Sequence, residues 1–303
     1  MTLTYLSVSL SAGIWLYFIY RYDRFEPEPV RWVLIIGAAG GILSSIPAAL
    51  LNTGAASYFG IGDFINNPAG IEASGRDILL FSLFVGFNEE FWKTFLAVIL
   101  LRRFRHFNEP IDALIYSMSI ALAFAAFENI SYTVAGGYGT LIVRSFTAVP
   151  LHAGLASIWG SGIAKAKYYK DGRYFTTLFP YVAAASLLHA LYNYIQFINY
   201  DNPVSLIIAL IFVFFIISYA AGRLRYFQKE SPFRRSGLCN QCGTLNNYFA
   251  RYCKNCGSYI VTDYYTLCTS CGIRNRKGLS SCRQCGGSII ETGNQQPPNP
   301  PEG

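Results

Sequence analysis

The sequence predicts an all-α polytopic membrane protein of about seven transmembrane helices, followed by two small C-terminal zinc ribbons. Three observations carry this. The 303 residues are 52% hydrophobic and only 14% charged, well below the usual charged share of a soluble domain. Seven apolar runs, at 2–20, 32–51, 77–101, 111–132, 145–166, 176–198 and 203–222, are long enough to cross a hydrocarbon core of about 30 Å. All eight cysteines lie after position 238, in four Cys-x-x-Cys pairs. The expected organisation is a transmembrane domain over 1–222, a basic juxtamembrane linker over 223–235, a double ribbon over 236–290 and a polar, proline-rich disordered tail over 291–303.

The net charge of +7 would suit nucleic acid, but in a membrane protein its distribution matters more. Loops taken alternately put Arg21, Arg24 and Arg31, then Arg102, Arg103 and Arg105, then Lys165, Lys167, Lys170 and Arg173, and finally Arg223, Arg225, Lys229, Arg234 and Arg235 on one side. The other side holds only Arg76 and Arg144. The positive-inside rule makes the basic side cytoplasmic, with the N-terminus outside and the cysteines inside a multi-pass cell-membrane protein.

Taken in order, the first run has no basic residue before it and reads as a retained helix, not a cleaved signal. The connection over 21–31 holds Pro27 and Pro29, which stop the helix, and reads as a cytoplasmic linker. The second run carries Gly37, Gly40 and Gly41 on a small-residue face suited to close helix packing. The external loop 52–76 is glycine-rich; it caps a site, lies on the membrane or is simply a tolerated insertion.

The third run is interrupted by Glu89, Glu90 and Lys93. Each such charge near the bilayer centre costs roughly 2.5–3.5 kcal/mol on insertion scales, which makes it a functional candidate. Lys93 follows Glu89 by four residues and Glu90 by three, so on a helix it reaches either carboxylate. The fourth run adds Glu128 and Asn129, the fifth His152, and the sixth His189 with Asn193 one turn on. At about 1.5 Å per residue from the basic side, Glu89, Glu128, His152 and His189 stand about 18, 26, 21 and 20 Å up, in one slab. His106, among loop arginines, calls for no special role.

Glutamates, histidines and asparagines converging from four helices suit activation of water and stabilisation of an oxyanion, hence hydrolysis. Two alternatives stand beside it. One is an ion-coupled transporter with a carboxylate–histidine relay, and the other a non-catalytic membrane receptor or scaffold acting through the cysteine segment.

The series Glu89-Glu90-Phe91-Trp92-Lys93, Phe124-Ala125-Ala126-Phe127-Glu128-Asn129, Pro150-Leu151-His152-Ala153 and His189-Ala190-Leu191-Tyr192-Asn193 resembles the motifs of the PrsW family of intramembrane proteases, distant relatives of the CAAX prenyl endopeptidases and Abi proteins. The resemblance covers roughly 80–195. It implies a protease acting on membrane-anchored proteins, anti-sigma factors among them, near the outer face. It also implies Glu89 as water activator with a histidine sharing the proton, and His189 with Asn193 as oxyanion donors. An active-site zinc on His152, His189 and a glutamate stays open; the lack of a His-Glu-x-x-His pair favours a metal-free glutamate mechanism.

In the tail, Cys239, Cys242, Cys253 and Cys256 are followed 29 residues later by Cys268, Cys271, Cys282 and Cys285 with the same internal spacing. Each set of four fits one tetrahedral structural zinc, although ligand pairs swapped between the sets remain open. A reducing cytoplasm disfavours disulfides, and so short a unit needs metal to fold. The expected cofactors are thus two structural zinc ions. The expected partners are the bilayer, a membrane-anchored substrate and a cytoplasmic protein at the ribbons, in preference to nucleic acid.

Overall fold

The computed structural model describes residues 2–61, 74–168, 173–199 and 202–231, and in the C-terminal segment 233, 239, 241–244, 246, 252–258, 265–268, 270, 274–276, 281–282 and 285–289. The chain divides into a helical body, Met1–Asp23 with Pro27–Glu230, and a second unit that holds the cysteine segment. The tail over 291–303, and Cys271, lie outside the described residues.

Seven helices build the body: α1 (Thr2–Tyr20), α2 (Val30–Tyr58), α3 (Gly75–Leu101), α4 (Pro110–Phe146), α5 (Ala148–Tyr168), α6 (Tyr174–Ile198) and α7 (Val204–Lys229). Five stretches are long and apolar enough to cross a membrane: α1, α2, the stretch Pro110–Tyr168 that contains α4 and α5, α6 and α7. The third helix is of similar length and is set apart by the charges of Glu89, Glu90 and Lys93. Many large apolar side chains on α1, α2, α3 and α7 are exposed, Leu10, Leu50, Phe95 and Phe214 among them, the surface expected of helices solvated by lipid. Helix α5 is the opposite case, with nearly every residue buried, so it is the central post.

Small residues let the helices close around that post. A Cβ on Gly40 would stand 2.6 Å from Ile120 Cγ1, and one on Gly41 2.6 Å from the Phe124 amide nitrogen, so the glycines of α2 admit the backbone of α4 as the sequence led us to expect. On α3, a Cβ on Gly86 would meet the Ser186 carbonyl at 2.6 Å and the Ala190 nitrogen at 2.7 Å. That contact brings α3 and α6 together one turn from Glu89 and Glu90.

The fourth helix departs from expectation. The sequence suggests a span ending near 132 and then an external loop containing Arg144. Instead α4 runs to Gly137, whose φ of +75° and ψ of −175° break it, a conformation open to glycine at little cost. Residues 128 and 144 would be about 24 Å apart on a straight helix, yet their side chains meet at 2.9 Å. The chain therefore folds back at Gly137, and the segment after it packs beside α1 through Ser11 Oγ to Ser145 Oγ at 2.7 Å.

The α1–α2 connection is likewise no solvated linker. Asp23 and Glu28 are buried, as is His106 in the α3–α4 connection. The Tyr116 hydroxyl donates to Glu28 Oε2, and the Lys167 ammonium to the Phe107 carbonyl at 2.5 Å.

In the second unit β1 (Tyr265–Leu267) pairs antiparallel with β2 (Arg274–Arg276), Tyr265 opposite Arg276. Three cysteine turns share one geometry. The amides of Gly243, Gly257 and Gly286 donate to the carbonyls of Cys239, Cys253 and Cys282 at 2.9, 2.9 and 2.8 Å, with φ of +68°, +69° and +74°.

Candidate active site

Glu89, Glu90 and Lys93 project from the middle of α3, all buried. The Lys93 ammonium has three protons to give and no lone pair. It has three acceptors: Glu90 Oε1 at 2.8 Å, Glu89 Oε2 at 3.2 Å and His152 Nδ1 at 2.9 Å. It also lies 4.0 Å from the centroid of the Phe124 ring. Since the ammonium only donates, His152 Nδ1 accepts, and the ring proton sits on Nε2 and faces Glu128 Oε2 at 3.1 Å.

Glu90 is fully buried, and three groups hold it. Besides Lys93 it takes the Trp159 indole N–H on Oε2 at 2.9 Å and faces His189 Nδ1 through Oε1 at 2.9 Å. A carboxylate there assigns the His189 proton to Nδ1 and leaves the Nε2 lone pair free. That nitrogen stands 3.9 Å from Glu89 Oε2, too far for a direct hydrogen bond and right for a bridging water. Glu89 Oε1 accepts from Asn52 Nδ2 at 3.0 Å, and Asn88 braces Asn52 at 2.8 Å. So Glu90 is locked, whereas Glu89 keeps an oxygen turned toward a histidine it does not touch.

Glu128 closes the network. Its Oε2 accepts from Arg144 Nη2 at 2.9 Å, and Arg144 Nε donates to Asn129 Oδ1 at 2.5 Å. The guanidinium carbon lies 3.6 Å from the Tyr132 ring centroid. Glu128 is the most open of the three carboxylates, 25% exposed against 4% for Glu89 and 0% for Glu90.

Of the residues singled out from the sequence, Glu89, Glu90, Lys93, Glu128, Asn129, His152 and His189 thus join one network. Asn193 does not: it is half-buried, and among the described residues no hydrogen bond links it to the others. Asn52, Asn88, Arg144 and Trp159 were missed. Trp159 follows His152 by seven residues, two helical turns, and that shared face is the signal that would have found it.

Glu89, His152 and His189 each offer a ligand atom, all within 4.8 Å of one another, and two histidines with a glutamate suit zinc in kind. The set is not free to take it. Lys93 already places a cation against Glu89 and His152 Nδ1, and His152 Nε2 is engaged by Glu128. With both His152 nitrogens occupied the residues do not fit a metal in this arrangement.

The cysteines do fit one. Cys239, Cys242, Cys253 and Cys256 form one cluster, and Cys268, Cys282 and Cys285 the described part of a second. Sulfurs facing each other are 3.5 Å apart for Cys239 and Cys256 and for Cys242 and Cys253, and 3.6 Å apart for Cys268 and Cys285. A tetrahedron with metal–sulfur bonds of about 2.3 Å needs roughly 3.8 Å. The pairing falls within each set of four and not between them.

A bundle of apolar helices closing on a buried carboxylate–histidine–lysine network has the makings of a membrane-embedded hydrolase. Residues 28–220 match the PrsW family of intramembrane metalloproteases. The chain is 30% identical over 195 residues to the protease PrsW of Geobacillus kaustophilus, covering 63% of this chain and 78% of that one. It is 29% identical over 198 residues to the protease PrsW of Bacillus subtilis, covering 63% and 81%, and 27% identical over 212 residues to that of Clostridioides difficile, covering 68% and 84%. No solved structure matches it. The chain belongs to the PrsW family and is an intramembrane protease, which replaces the transporter and receptor readings.

Proposed function

We propose that the protein hydrolyses peptide bonds of membrane-anchored proteins by a metal-free mechanism in which Glu89 is the general base. The observation that carries this reading is the 3.9 Å separation of Glu89 Oε2 and His189 Nε2, two acceptors able to hold one water between them. Glu89 takes a proton as the water oxygen bonds to the scissile carbonyl carbon. When the carbon–nitrogen bond breaks, that proton passes to the leaving amine. Glu90 orients His189, and Lys93 and Arg144 supply the positive charge that offsets the developing oxyanion. The oxyanion role expected of His189 and Asn193 gives way to an acceptor role for His189, because Glu90 claims its Nδ1 proton.

The basic loops are cytoplasmic in this reading, the N-terminus lies outside, and the cysteine segment binds two zinc ions within the cell and docks a protein partner.

The test is cleavage of a membrane-anchored reporter in proteoliposomes. Glu89→Gln keeps an acceptor for Asn52 and removes the base. Its rate should fall about 10²–10⁴-fold while the helix content stays that of the wild type. A rate within a few-fold of wild type would sink the assignment.

A further inference from the structure

Two asparagines stand behind Glu89 and take no direct part in the chemistry. Asn52 lies on α2, and Asn88 is the residue before Glu89 on α3. Ala48 and Asn52 are four residues apart, so they share one face of α2, and that face meets Asn88 and Glu89. Asn88 Nδ2 donates to the Ala48 carbonyl at 3.0 Å and to Asn52 Oδ1 at 2.8 Å. Asn52 Nδ2 donates in turn to Glu89 Oε1 at 3.0 Å. Ala48 and Asn88 are buried, and Asn52 is half-buried.

The direction of each bond is set from the far end of this chain. A backbone carbonyl can only accept, so Asn88 must turn its amide nitrogen toward Ala48 and Asn52. Asn52 answers with its oxygen, which leaves its own nitrogen facing the carboxylate. Glu89 Oε1 is therefore occupied by a proton donor. The other oxygen, Oε2, takes the Lys93 ammonium at 3.2 Å and faces His189 Nε2 at 3.9 Å. Among the described residues Asn52 and Lys93 are the hydrogen-bond partners of Glu89. Rotation about the terminal bond of a carboxylate side chain is broad and two-fold, so a hold on Oε2 alone would let the group swing about that atom. Apolar side chains at 52 and 88 would pack α2 on α3 without the desolvation that two amides carry.

We propose that Asn52, oriented by Asn88, is a positioning residue for proteolysis. It fixes the plane of the Glu89 carboxylate and reserves Oε2 for the proton taken from water. That proton goes to Oε2 as the water oxygen bonds to the scissile carbonyl carbon, and it leaves with the amine when the carbon–nitrogen bond breaks. This role rests on the reading of Glu89 as general base and extends the control of that base to α2.

The experiment uses the full-length protein in proteoliposomes with the membrane-anchored reporter at varied density, so that kcat and KM are read separately. In Asn52→Leu, kcat should fall about 10–100-fold, the scale of a misplaced reacting group, with KM and helix content unchanged. Asn88→Leu leaves Asn52 in place but free to turn, and its kcat should fall as well. If Asn88 acts through Asn52, the double variant is no slower than Asn52→Leu alone. Losses that multiply in the double variant overturn the relay, and a raised KM with kcat intact overturns the positioning role. A wild-type kcat in Asn52→Leu overturns it too, and should that variant not fold, a wild-type kcat in Asn88→Leu does the same. Glu89→Gln separates the two readings: if it is inactive while Asn52→Leu is fully active, the general base stands and only the positioning role falls. If Glu89→Gln is active, both fall.

Discussion

Lys93 holds the buried carboxylate–histidine network together by position as much as by charge. Its three protons meet two carboxylates of its own helix and a histidine of α5, so no donor is left over at a fully buried position. Lys93→Met would leave two buried carboxylates uncompensated, and breaking a buried pair from one side costs about 3–5 kcal/mol. Denaturant unfolding in micelles should register that loss, and reporter cleavage should vanish with it. The two intrahelical contacts were legible in the sequence, because spacings of three and four put Lys93 over both glutamates. The partnership with His152 was not, since a residue's partner on another helix depends on rotation and height that hydropathy leaves open. Arg144 was misread for a related reason: a charge near the end of an apolar run looks like a loop residue until the fold places Glu128 opposite it.

Among the elements, α3 and α6 make the closest approach that bears on chemistry. The three atoms nearest a methyl group on Gly86 would be two backbone atoms and the Ala190 Cβ, at 2.6–3.0 Å, and backbone cannot step aside. Gly86→Ala should therefore push α6 outward and stretch the bond between His189 and Glu90. A stability loss of about 1–3 kcal/mol is expected for such overpacking, together with cleavage reduced well beyond what the lower folded fraction explains. Comparing thermal unfolding with rate per folded enzyme checks both parts. Most helices were legible to within a few residues, because twenty apolar residues in a row have few other uses. The reversal at Gly137 was hidden, since a glycine inside an apolar stretch carries the same hydropathy whether the chain continues or turns back. The connection over 21–31 was hidden differently: its carboxylates look solvated in sequence, yet Asp23, Glu26 and Glu28 are buried in the fold.

At the scale of the whole molecule, the cysteine clusters and the proposed metal-free active site together predict a metal count. If each cysteine cluster holds a zinc, as proposed, and Lys93 fills the membrane site, purified protein should carry two zinc ions per chain. A His152→Ala/His189→Ala double variant should also carry two. A third zinc, lost in that variant, would make the membrane site a metal centre and displace Glu89 as unaided base. The paired cysteine spacing made the clusters legible without any structure, whereas their partner is not legible in either, because a metal-held turn fixes a fold and not a ligand. The candidate catalytic network has a different reach: it draws on α2 through Asn52, α3 through Glu89, Glu90 and Lys93, α4 through Glu128 and Arg144, α5 through His152 and Trp159, and α6 through His189. On the proposed mechanism no subset of these helices would make a working catalyst. On that mechanism a nascent chain threading into the bilayer from its N-terminus would stay harmless to its neighbours until the sixth segment docks, so that order of synthesis would serve as the safety catch which many proteases obtain from a removable pro-segment.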